Sequence, residues 1–511
     1  MEVTEDRKYL LLALAVRVVI RSIPNLITPH PIGYDTIYYM TQILDWRRNL
    51  SNPNIIFETP LHLLILSPIY IATGLDLSVI FRIAQPLLYG LLAISFYYAA
   101  RKLFKWEPKQ AFLATIIFCL QTATLRISWD LLRNELGLVI LLFTLPKLKN
   151  HDREGLAYII LSTLVVLSHQ TTSVILLFTT ASFIVNYVKK KDYKKCKNLC
   201  LLSIPSAILF AGMLFYGAGL LHIPFTPSPS IFTRIISIPI EKNVPFPFVN
   251  YLAGDGLVDY GQSYVYLLAD VILFYIASYV LILPFVVKGF RSLRERTMDS
   301  WTGFCGFASL MCLVTPQFAF LQWDRWMQLL VVPYSFYATN GIIKISCRKI
   351  FEKSPKNLAI IVSIIYVITA ILYMTTPYTN PVSSYAAIWP SSKYSPPTML
   401  SHTAPIEDTL DIRFAFQWLN ENMDRNACLL TRDAFVSWAK IYLNREKTVI
   451  YYQNKYVSTG LQYAKAFNYT NIYWIWWENG VGLKWYGQEM SDEFKPIYKS
   501  GNIVVYKYTY Y

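Results

Sequence analysis

The sequence predicts a polytopic α-helical membrane protein of about 11 spans, followed by a C-terminal extracytoplasmic domain of mixed α/β structure. Two observations indicate this fold class. Hydrophobic residues make up 54% of the 511 residues, whereas charged residues make up only 15%, with a mean hydropathy of +0.34. A soluble chain of this length normally carries about 25% charged residues. The charges of both signs also concentrate after residue 400, where the long apolar stretches end.

The apolar stretches define the predicted spans. A helix needs roughly 20 mostly apolar residues to cross a bilayer. The stretches that approach this length are 9–27, 79–100, 110–128, 131–146, 155–169, 171–188, 198–220, 264–287, 301–321, 326–344 and 357–376. A further apolar stretch, 60–74, is shorter, and we interpret it as a juxtamembrane helix.

The basic residues set the predicted orientation. If 60–74 does not cross the membrane, the N-terminus and the loops on its side hold 24 Lys and Arg residues, and the opposite loops hold six. Cytoplasmic loops carry such an excess. We therefore expect a cytoplasmic N-terminus, an extracytoplasmic C-terminal domain and a location in the plasma membrane. The formal charge of +15 follows this loop pattern, so we expect no nucleic-acid partner.

Three regions follow from the composition. Residues 1–376 form the predicted transmembrane domain, 377–399 a linker and 400–511 the soluble domain. Within the soluble domain, Ile406–Met423 has helical periodicity, and β-rich runs occur at 448–452, 472–477 and 503–508. The segment 222–262, rich in proline and aromatic residues, is predicted to be an ordered external loop.

Asp35 is the first candidate catalytic residue. It follows the first apolar stretch, after a turn marked by Pro31 and Gly33. Tyr38 and Tyr39 lie three and four residues later, so on a helix they share its face. A carboxylate beside phenols at a membrane rim suits a general base for an acceptor hydroxyl. The alternative is a helix N-cap, a common role for aspartate.

Polar residues at two other junctions between spans are further candidates. Asp130 follows the third span, and Arg133 and Glu135 would enter the first turn of the next, which is costly unless they face a polar cavity. His169, between two apolar stretches, can bind a phosphate or a hydroxyl. For the residues around Asp130 the alternative is an ordinary solvated turn. For His169 the alternative is a histidine that only makes a hydrogen bond within its turn.

Arginines at span ends are candidates for holding a phosphate. Arg325 lies between Trp323 and Trp326, where guanidinium and indole groups suit a lipid-linked phosphate at the headgroup level. Arg82, at the start of the second span, is another candidate. The alternative for Arg325 is an aromatic belt with an Asp–Arg pair. Arg17, near mid-membrane, is predicted to face the bundle interior.

These motifs together resemble the GT-C superfamily of integral-membrane glycosyltransferases, in particular its protein O-mannosyltransferase and aminoarabinose-transferase branch. The resemblance lies in an acidic residue after the first span (Asp35), a Phe-Glu-Thr-Pro-Leu run at 57–61, a span beginning near Arg82 and a second acid after the third span (Asp130). It implies transfer of a sugar from a polyprenyl-phosphate carrier on the external face, with Glu58 of that run at the substrate site.

The leading interpretation is therefore an inverting glycosyltransferase that uses a lipid-phosphate sugar. Asp35 is the predicted base, and Asp130 orients the acceptor or supports a divalent metal. No other cofactor is predicted. The chain has no P-loop and no G-x-G-x-x-G, which fits a lipid-linked donor rather than a nucleotide sugar. The bilayer and a glycan, lipid or protein acceptor are the other predicted partners. A transporter or flippase for a lipid-linked or small solute is the alternative, and a non-catalytic assembly subunit is a third.

Overall fold

The computed structural model describes residues 2–217, 264–313, 323–346, 355–375, 404–424, 426–452, 457–480, 482–483 and 493–508. The chain forms two compact units. The first unit comprises Met1–Arg21, Arg48–Ile65 and Ala84–Ile388, and the second comprises Ser22–Arg47, Leu66–Ile83 and Trp389–Tyr511. The predicted external loop 222–262 and linker 377–399 lie outside the described residues.

The helices are numbered here in chain order among the described residues. The helices up to residue 217 are α1 (Glu2–Ile27), α2 (Tyr34–Leu44), α3 (Trp46–Ser51), α4 (Leu61–Thr73), α5 (Leu77–Leu103), α6 (Pro108–Leu120), α7 (Thr122–Asp130), α8 (Leu132–Lys149), α9 (His151–Ser168), α10 (Gln170–Lys189) and α11 (Tyr193–Gly217). The later helices are α12 (Tyr264–Tyr279), α13 (Leu283–Phe290), α14 (Arg296–Leu310), α15 (Trp323–Leu329), α16 (Val331–Ser346), α17 (Pro355–Thr375), α18 (Thr409–Asn422), α19 (Asp433–Tyr442) and α20 (Val457–Ala466). Single 3₁₀ turns occur at Pro53–Phe57, Met311–Leu313 and Ile406–Asp408.

Several of these helices have the length and apolar composition of membrane-spanning helices. By length and composition, four described helices are long and apolar enough to cross one: Thr4–Ile27, Leu77–Leu103, Gln170–Lys189 and Tyr193–Tyr216. The number is up to six if each of two bent helix pairs is one span. The chain is therefore an integral membrane protein. The larger span count from hydropathy stays a prediction, because some of the predicted spans extend beyond the described residues.

Helix α4 corresponds to the predicted juxtamembrane stretch 60–74. It has 13 residues. At about 1.5 Å of rise per residue it is too short to cross a bilayer as a single helix.

Two predicted spans are bent rather than straight, which corrects the sequence prediction. The stretch 110–128 divides into α6 and α7, which meet at 65°. Gln121 occupies the break, and its side-chain amide donates to Ile117 O (3.1 Å) and to Ser335 Oγ (2.6 Å). The stretch 264–287 divides into α12 and α13, with an 84° bend. Pro284, in the first turn of α13, cannot donate a backbone hydrogen bond, so the helix does not continue through it.

Helices α13 and α16 approach each other closely through glycines. A Cβ on Gly289 would lie 1.7 Å from Tyr337 O, and one on Gly341 would lie 2.1 Å from Phe285 O. Small residues allow backbones to come together in this way, and they are enriched where membrane helices pack. This pair of glycines therefore sets the separation of the two helices.

The arginines of α1 lie inside the first unit, which confirms the prediction that Arg17 faces the bundle interior. Arg17 and Arg21 are both 0% exposed. The Arg17 guanidinium lies 3.7 Å above the centre of the Tyr89 ring, a cation–π contact. Arg21 donates to Ser128 O (2.8 Å) and Trp129 O (3.0 Å). These carbonyls end α7, so Arg21 satisfies acceptors that a helix C-terminus leaves open.

The second unit contains a five-stranded sheet of order β2-β1-β3-β5-β4. Its strands are β1 (Ala427–Thr431), β2 (Thr448–Tyr451), β3 (Asn471–Trp477), β4 (Phe494–Ser500) and β5 (Ile503–Tyr508). Strand β1 pairs in parallel with β2 and β3, and β5 pairs antiparallel with β3 and β4. The parallel pairs require helical crossovers, which α19 and α20 supply. The sequence predicted β2, β3, β5 and helix α18, but not β1, β4, α19 or α20.

Helix α2, which carries Asp35, belongs to the second unit. Its apolar side chains Ile37, Met40 and Ile43 are at most 1% exposed, and the helix packs against α19. Helix α19 of the same unit therefore covers this apolar face.

Candidate functional site

Four of the predicted site residues meet in the first unit. They are Glu58, Arg133, His169 and Arg325, and together we call them the Glu58–Arg325 cluster. Each lies beside or in the first turn of a helix, namely α4, α8, α10 and α15 respectively. Helix ends lie where the chain turns, so residues far apart in sequence can meet there without interrupting the spans.

Arg133 is the central member of the cluster. Its Nη1 donates to Glu58 O (3.3 Å) and to Thr59 Oγ1 (3.1 Å). Its charge also acts on the Glu58 carboxylate and on the His169 ring. The sequence argument that a charged group in the first turn of α8 needs a polar environment therefore agrees with its contacts.

Thr59 holds the backbone of the cluster in an uncommon conformation. Its φ is 53°, in the left-handed region that β-branched residues rarely adopt. Its hydroxyl donates to Glu58 O (2.7 Å) and accepts from Arg133. Backbone strain of this kind costs about 1–3 kcal/mol and concentrates at functional sites. The strain therefore supports a functional role for the adjacent Glu58.

Glu58 is a half-buried carboxylate whose pKa is raised. Desolvation is the largest cause, and it outweighs the opposing effects of the Tyr216 hydroxyl and the Arg133 charge. Tyr216 Oη donates to Glu58 Oε1 at 3.5 Å, and its ring stacks on Phe57 at 5.5 Å. Gly212 allows this packing, because a Cβ there would lie 2.7 Å from the Phe57 ring. A carboxylate with a raised pKa is a stronger base than an ordinary glutamate, which suits proton transfer.

His169 caps helix α10. Its Nδ1 accepts a hydrogen bond from the Thr171 backbone N–H at 3.2 Å. Desolvation lowers its pKa well below the usual value, and the charges of Arg325 and Arg133 lower it further. The ring is therefore neutral at neutral pH, with its proton on Nε2 because Nδ1 is an acceptor. In that state Nε2 can donate to an oxygen of a bound ligand.

Arg325 is half-buried, whereas the neighbouring indoles are not at the surface. Trp323 and Trp326 are 6% and 8% exposed. Their rings make edge contacts with Phe274 at 5.6 Å and Phe304 at 5.2 Å. Both indoles therefore pack inside the first unit, and their position at the headgroup level stays a prediction. These contacts pack α15 against α12 and α14, and the positive charge of Arg325 acts on the His169 ring.

Asp130 lies in the first unit but is held by another partner. It is 3% exposed and forms a buried ion pair with Arg126, one turn earlier on α7. The pair sits beside the α7 carbonyls that Arg21 satisfies. Asp130 therefore lies at the C-terminal end of α7, beside the carbonyls that bind Arg21.

The remaining predicted site residues lie in the second unit. Asp35 is in the first turn of α2, and Tyr39 Oη donates to its Oδ2 at 3.4 Å. The N-cap of that helix is Gly33, with a φ of 81°, so the N-cap alternative for Asp35 is wrong. Arg82 donates through Nη2 to Asn25 O at 2.8 Å. Tyr39 is buried, and Tyr38 is partly exposed.

The described residues give no separate metal centre. No group of three or more His, Cys, Asp and Glu side chains among them is arranged to hold a metal ion. A divalent metal at Asp130 stays a prediction.

Sequence reasoning missed Tyr216 and Thr171. Tyr216 ends an apolar helix, where a tyrosine is an ordinary residue and gives no signal. Thr171 Oγ1 donates to Asn134 Oδ1 at 3.2 Å and so connects α10 with α8. The polar run Gln170-Thr171-Thr172 after His169 was the only sequence sign of this connection.

Comparisons with known proteins give similarity to solved structures only. No family model matches the chain, and no curated protein matches it. Among solved structures, the chain is similar to the crystal structure of ArnT from Cupriavidus metallidurans bound to undecaprenyl phosphate. The two chains are 12% identical, the similarity covers 98% of each, and the TM-score is 0.49. At this identity and TM-score, the similarity transfers neither a substrate nor a residue role to this chain.

Proposed function

We propose that the protein transfers a sugar from a polyprenyl-phosphate-linked donor to an acceptor hydroxyl at the outer face of the membrane. The observation that supports this function is the Glu58–Arg325 cluster, where two guanidinium groups, a carboxylate and a neutral histidine meet in an integral membrane protein. Guanidinium groups bind phosphate oxygens with two parallel hydrogen bonds. A lipid-linked phosphate lies in the bilayer, where it can reach the binding site of a membrane protein.

The proposed reaction is a single displacement at the sugar. The acceptor oxygen forms a bond to the anomeric carbon as the bond from that carbon to the phosphate oxygen breaks. The bonding electrons leave with the phosphate, so polyprenyl phosphate gains a negative charge. Arg325 and Arg133 stabilise that developing charge, and His169 Nε2 donates to a phosphate oxygen.

The hydroxyl proton passes to a carboxylate. Asp35 is the proposed base, since Tyr39 orients its carboxylate. Glu58 is the second candidate, because desolvation raises its pKa and makes it a stronger base than an exposed glutamate. Asp130 has a positioning role through its ion pair with Arg126.

The test compares two carboxamide variants, Asp35→Asn and Glu58→Gln, in membranes supplied with a polyprenyl-phosphate sugar. The measurement is the conversion of that sugar lipid to polyprenyl phosphate. Loss of the base should reduce conversion by about 10²–10⁴-fold, because general-base catalysis contributes that much. The variant with the larger loss identifies the base. Conversion close to that of the unmodified protein in both variants would contradict the mechanism.

The phosphate role is tested by Arg325→Ala, with Arg153→Ala as the matched control. Arg153 is an exposed arginine of the same unit. Arg325→Ala should weaken use of the sugar lipid by tenfold or more, because a charged hydrogen bond contributes about 1.5–3 kcal/mol. Equal effects of the two substitutions, or transfer from a free nucleotide sugar, would exclude this donor site.

A further inference from the structure

A second basic cluster lies in the second unit, in the segment that follows α1. His30 is 3% exposed, and its backbone N–H donates to Thr28 Oγ1 at 3.2 Å. Thr28 Oγ1 in turn lies 2.9 Å from Thr409 Oγ1, in the first turn of α18. Arg413 is one turn further along α18, so it shares the helix face of Thr409. These bonds place His30 beside α18, the helix that carries Arg413.

Arg82 reaches the same segment from α5. Its Nη2 donates to Asn25 O at 2.8 Å, and Asn25 Nδ2 donates back to Arg82 O at 2.8 Å. This reciprocal pair fixes the guanidinium beside the chain that leads to His30. The segment from residue 25 to residue 30 therefore connects one arginine on α5 with one on α18.

Two buried nitrogens of this cluster have no hydrogen-bond partner. They are His30 Nε2 and Arg82 Nε. Leaving such an atom unsatisfied costs about 1–3 kcal/mol, so buried polar atoms are rarely left in that state. Both nitrogens can donate hydrogen bonds, which indicates an acceptor ligand rather than a donor.

The local charge is also unbalanced. Desolvation lowers the pKa of His30, and the positive charges of Arg413 and then Arg82 lower it further. Asp76 is the carboxylate that acts in the opposite direction, and one of its oxygens already accepts from the Ser78 N–H at 2.7 Å. An anion between the two guanidinium groups would offset their repulsion.

We propose that His30, Arg82 and Arg413 form a binding site for one phosphate-class oxyanion in the second unit. The oxyanion accepts from His30 Nε2 and from Arg82 Nε, the two buried donors, and Arg413 closes the site from the exposed side. The ligand is either the phosphate of a lipid headgroup or a free phosphate, which share this chemistry. None of its residues belongs to the Glu58–Arg325 cluster.

The experiment uses the full chain, purified in an uncharged detergent and carrying Arg325→Ala to remove the phosphate contact proposed for the other cluster. Inorganic phosphate is titrated, and binding is measured by calorimetry and by the melting temperature. Phosphate should bind and raise the melting temperature. Adding Arg413→Gln should weaken binding by about tenfold or more, because it removes a charged hydrogen-bond donor. His30→Gln should weaken it as well.

The matched control is Arg445→Gln, an exposed arginine of the same unit that pairs with Asp45 at 3.4 Å. It should leave phosphate binding unchanged. Equal binding by the Arg413→Gln and Arg445→Gln proteins, or the absence of phosphate binding before either change, would overturn the proposal. Because Arg413 is exposed, its replacement should not prevent folding, which the melting temperature without phosphate verifies.

A second titration distinguishes the two sources of the phosphate group. Dodecyl phosphate replaces inorganic phosphate in the same proteins. Binding at least tenfold tighter than that of inorganic phosphate, and lost in Arg413→Gln, identifies a lipid headgroup. Equal affinities that are both lost in Arg413→Gln identify a free phosphate. A tighter binding of dodecyl phosphate that survives Arg413→Gln would contradict the site.

Discussion

Asp408 is a single carboxylate that joins three elements of the second unit. It precedes α18, and it accepts from Trp477 Nε1 of β3 and from Asn502 Nδ2 beside β5, both at 2.8 Å. The residue is 1% exposed. Burial raises its pKa more than these two hydrogen bonds lower it, so the folded protein holds this proton to a higher pH than the unfolded chain.

This shift predicts a pH dependence of stability. The pKa of an aspartate in an unfolded chain is about 3.9. Because the folded pKa lies above that value, the contribution of Asp408 is fully present below about pH 4 and is lost as the pH rises through the folded pKa. We compare the melting temperatures of the unmodified protein and the Asp408→Asn variant. The advantage of the unmodified protein should therefore decrease as the pH is raised from 4 to 7. Tryptophan fluorescence of the full chain follows the unfolding, with exposed Glu446→Gln as the control. A difference that grows with pH would contradict this sign.

Among single residues of the site, the sequence could identify polar or charged side chains that lie within or beside an apolar span, where their burial costs free energy. Arg133 was found because a charge in the first turn of a span is expensive, and His169 because it interrupts an apolar stretch. Tyr216 and the strained Thr59 gave no such signal. Their roles depend on which atoms lie opposite, and a residue type alone does not specify its neighbours across the fold.

At the scale of elements, the contact between α13 and α16 gives a sharp prediction. Gly289→Ala places a methyl group where Tyr337 O lies 1.7 Å from the Cβ position. The helices must separate, and overpacking of this kind typically costs about 1–3 kcal/mol. The melting temperature should therefore fall. The control is Gly303→Ala on α14, where nothing lies within 4 Å of the new Cβ, and where alanine should be neutral or stabilising. A fall of equal size in both variants would exclude the close approach as its cause.

The bends in the predicted spans belong to the same scale. Pro284 is visible in the sequence, but a proline inside an apolar run allows either a kink or a continued helix. The break at Gln121 depends on Ser335, more than 200 residues later in the chain. Hydropathy averages over such a stretch and reports one span, because it measures composition and not direction.

At the scale of the whole molecule, the excess of basic residues predicts the orientation in the membrane. An impermeant thiol reagent applied to intact cells should label Glu446→Cys, in the soluble region, and should not label Lys191→Cys. Both positions are exposed in the structure. The experiment requires the nearby exposed Cys200 to be replaced by serine, so that labelling reports the introduced thiol. Labelling of both positions, or of Lys191→Cys alone, would contradict the predicted topology.

The sequence by itself determined the fold class, the buried position of Arg17 and three of the five strands. Each of these follows from local composition or periodicity, since a 20-residue apolar run or an alternating β-rich run carries its own preference. It also named all four members of the Glu58–Arg325 cluster: Arg133 and His169 by their context, Arg325 by its position between two tryptophans, and Glu58 by family resemblance.

Only the tertiary structure decided how these residues are grouped. It brought Glu58, Arg133, His169 and Arg325 together in the first unit and paired Asp130 with Arg126 instead. It also joined Arg82 to His30 and Arg413, two residues that had no sequence signal at all. The physical reason is that hydrogen bonds and charge pairs act over a few ångströms, whereas these partners are separated by tens to hundreds of residues along the chain.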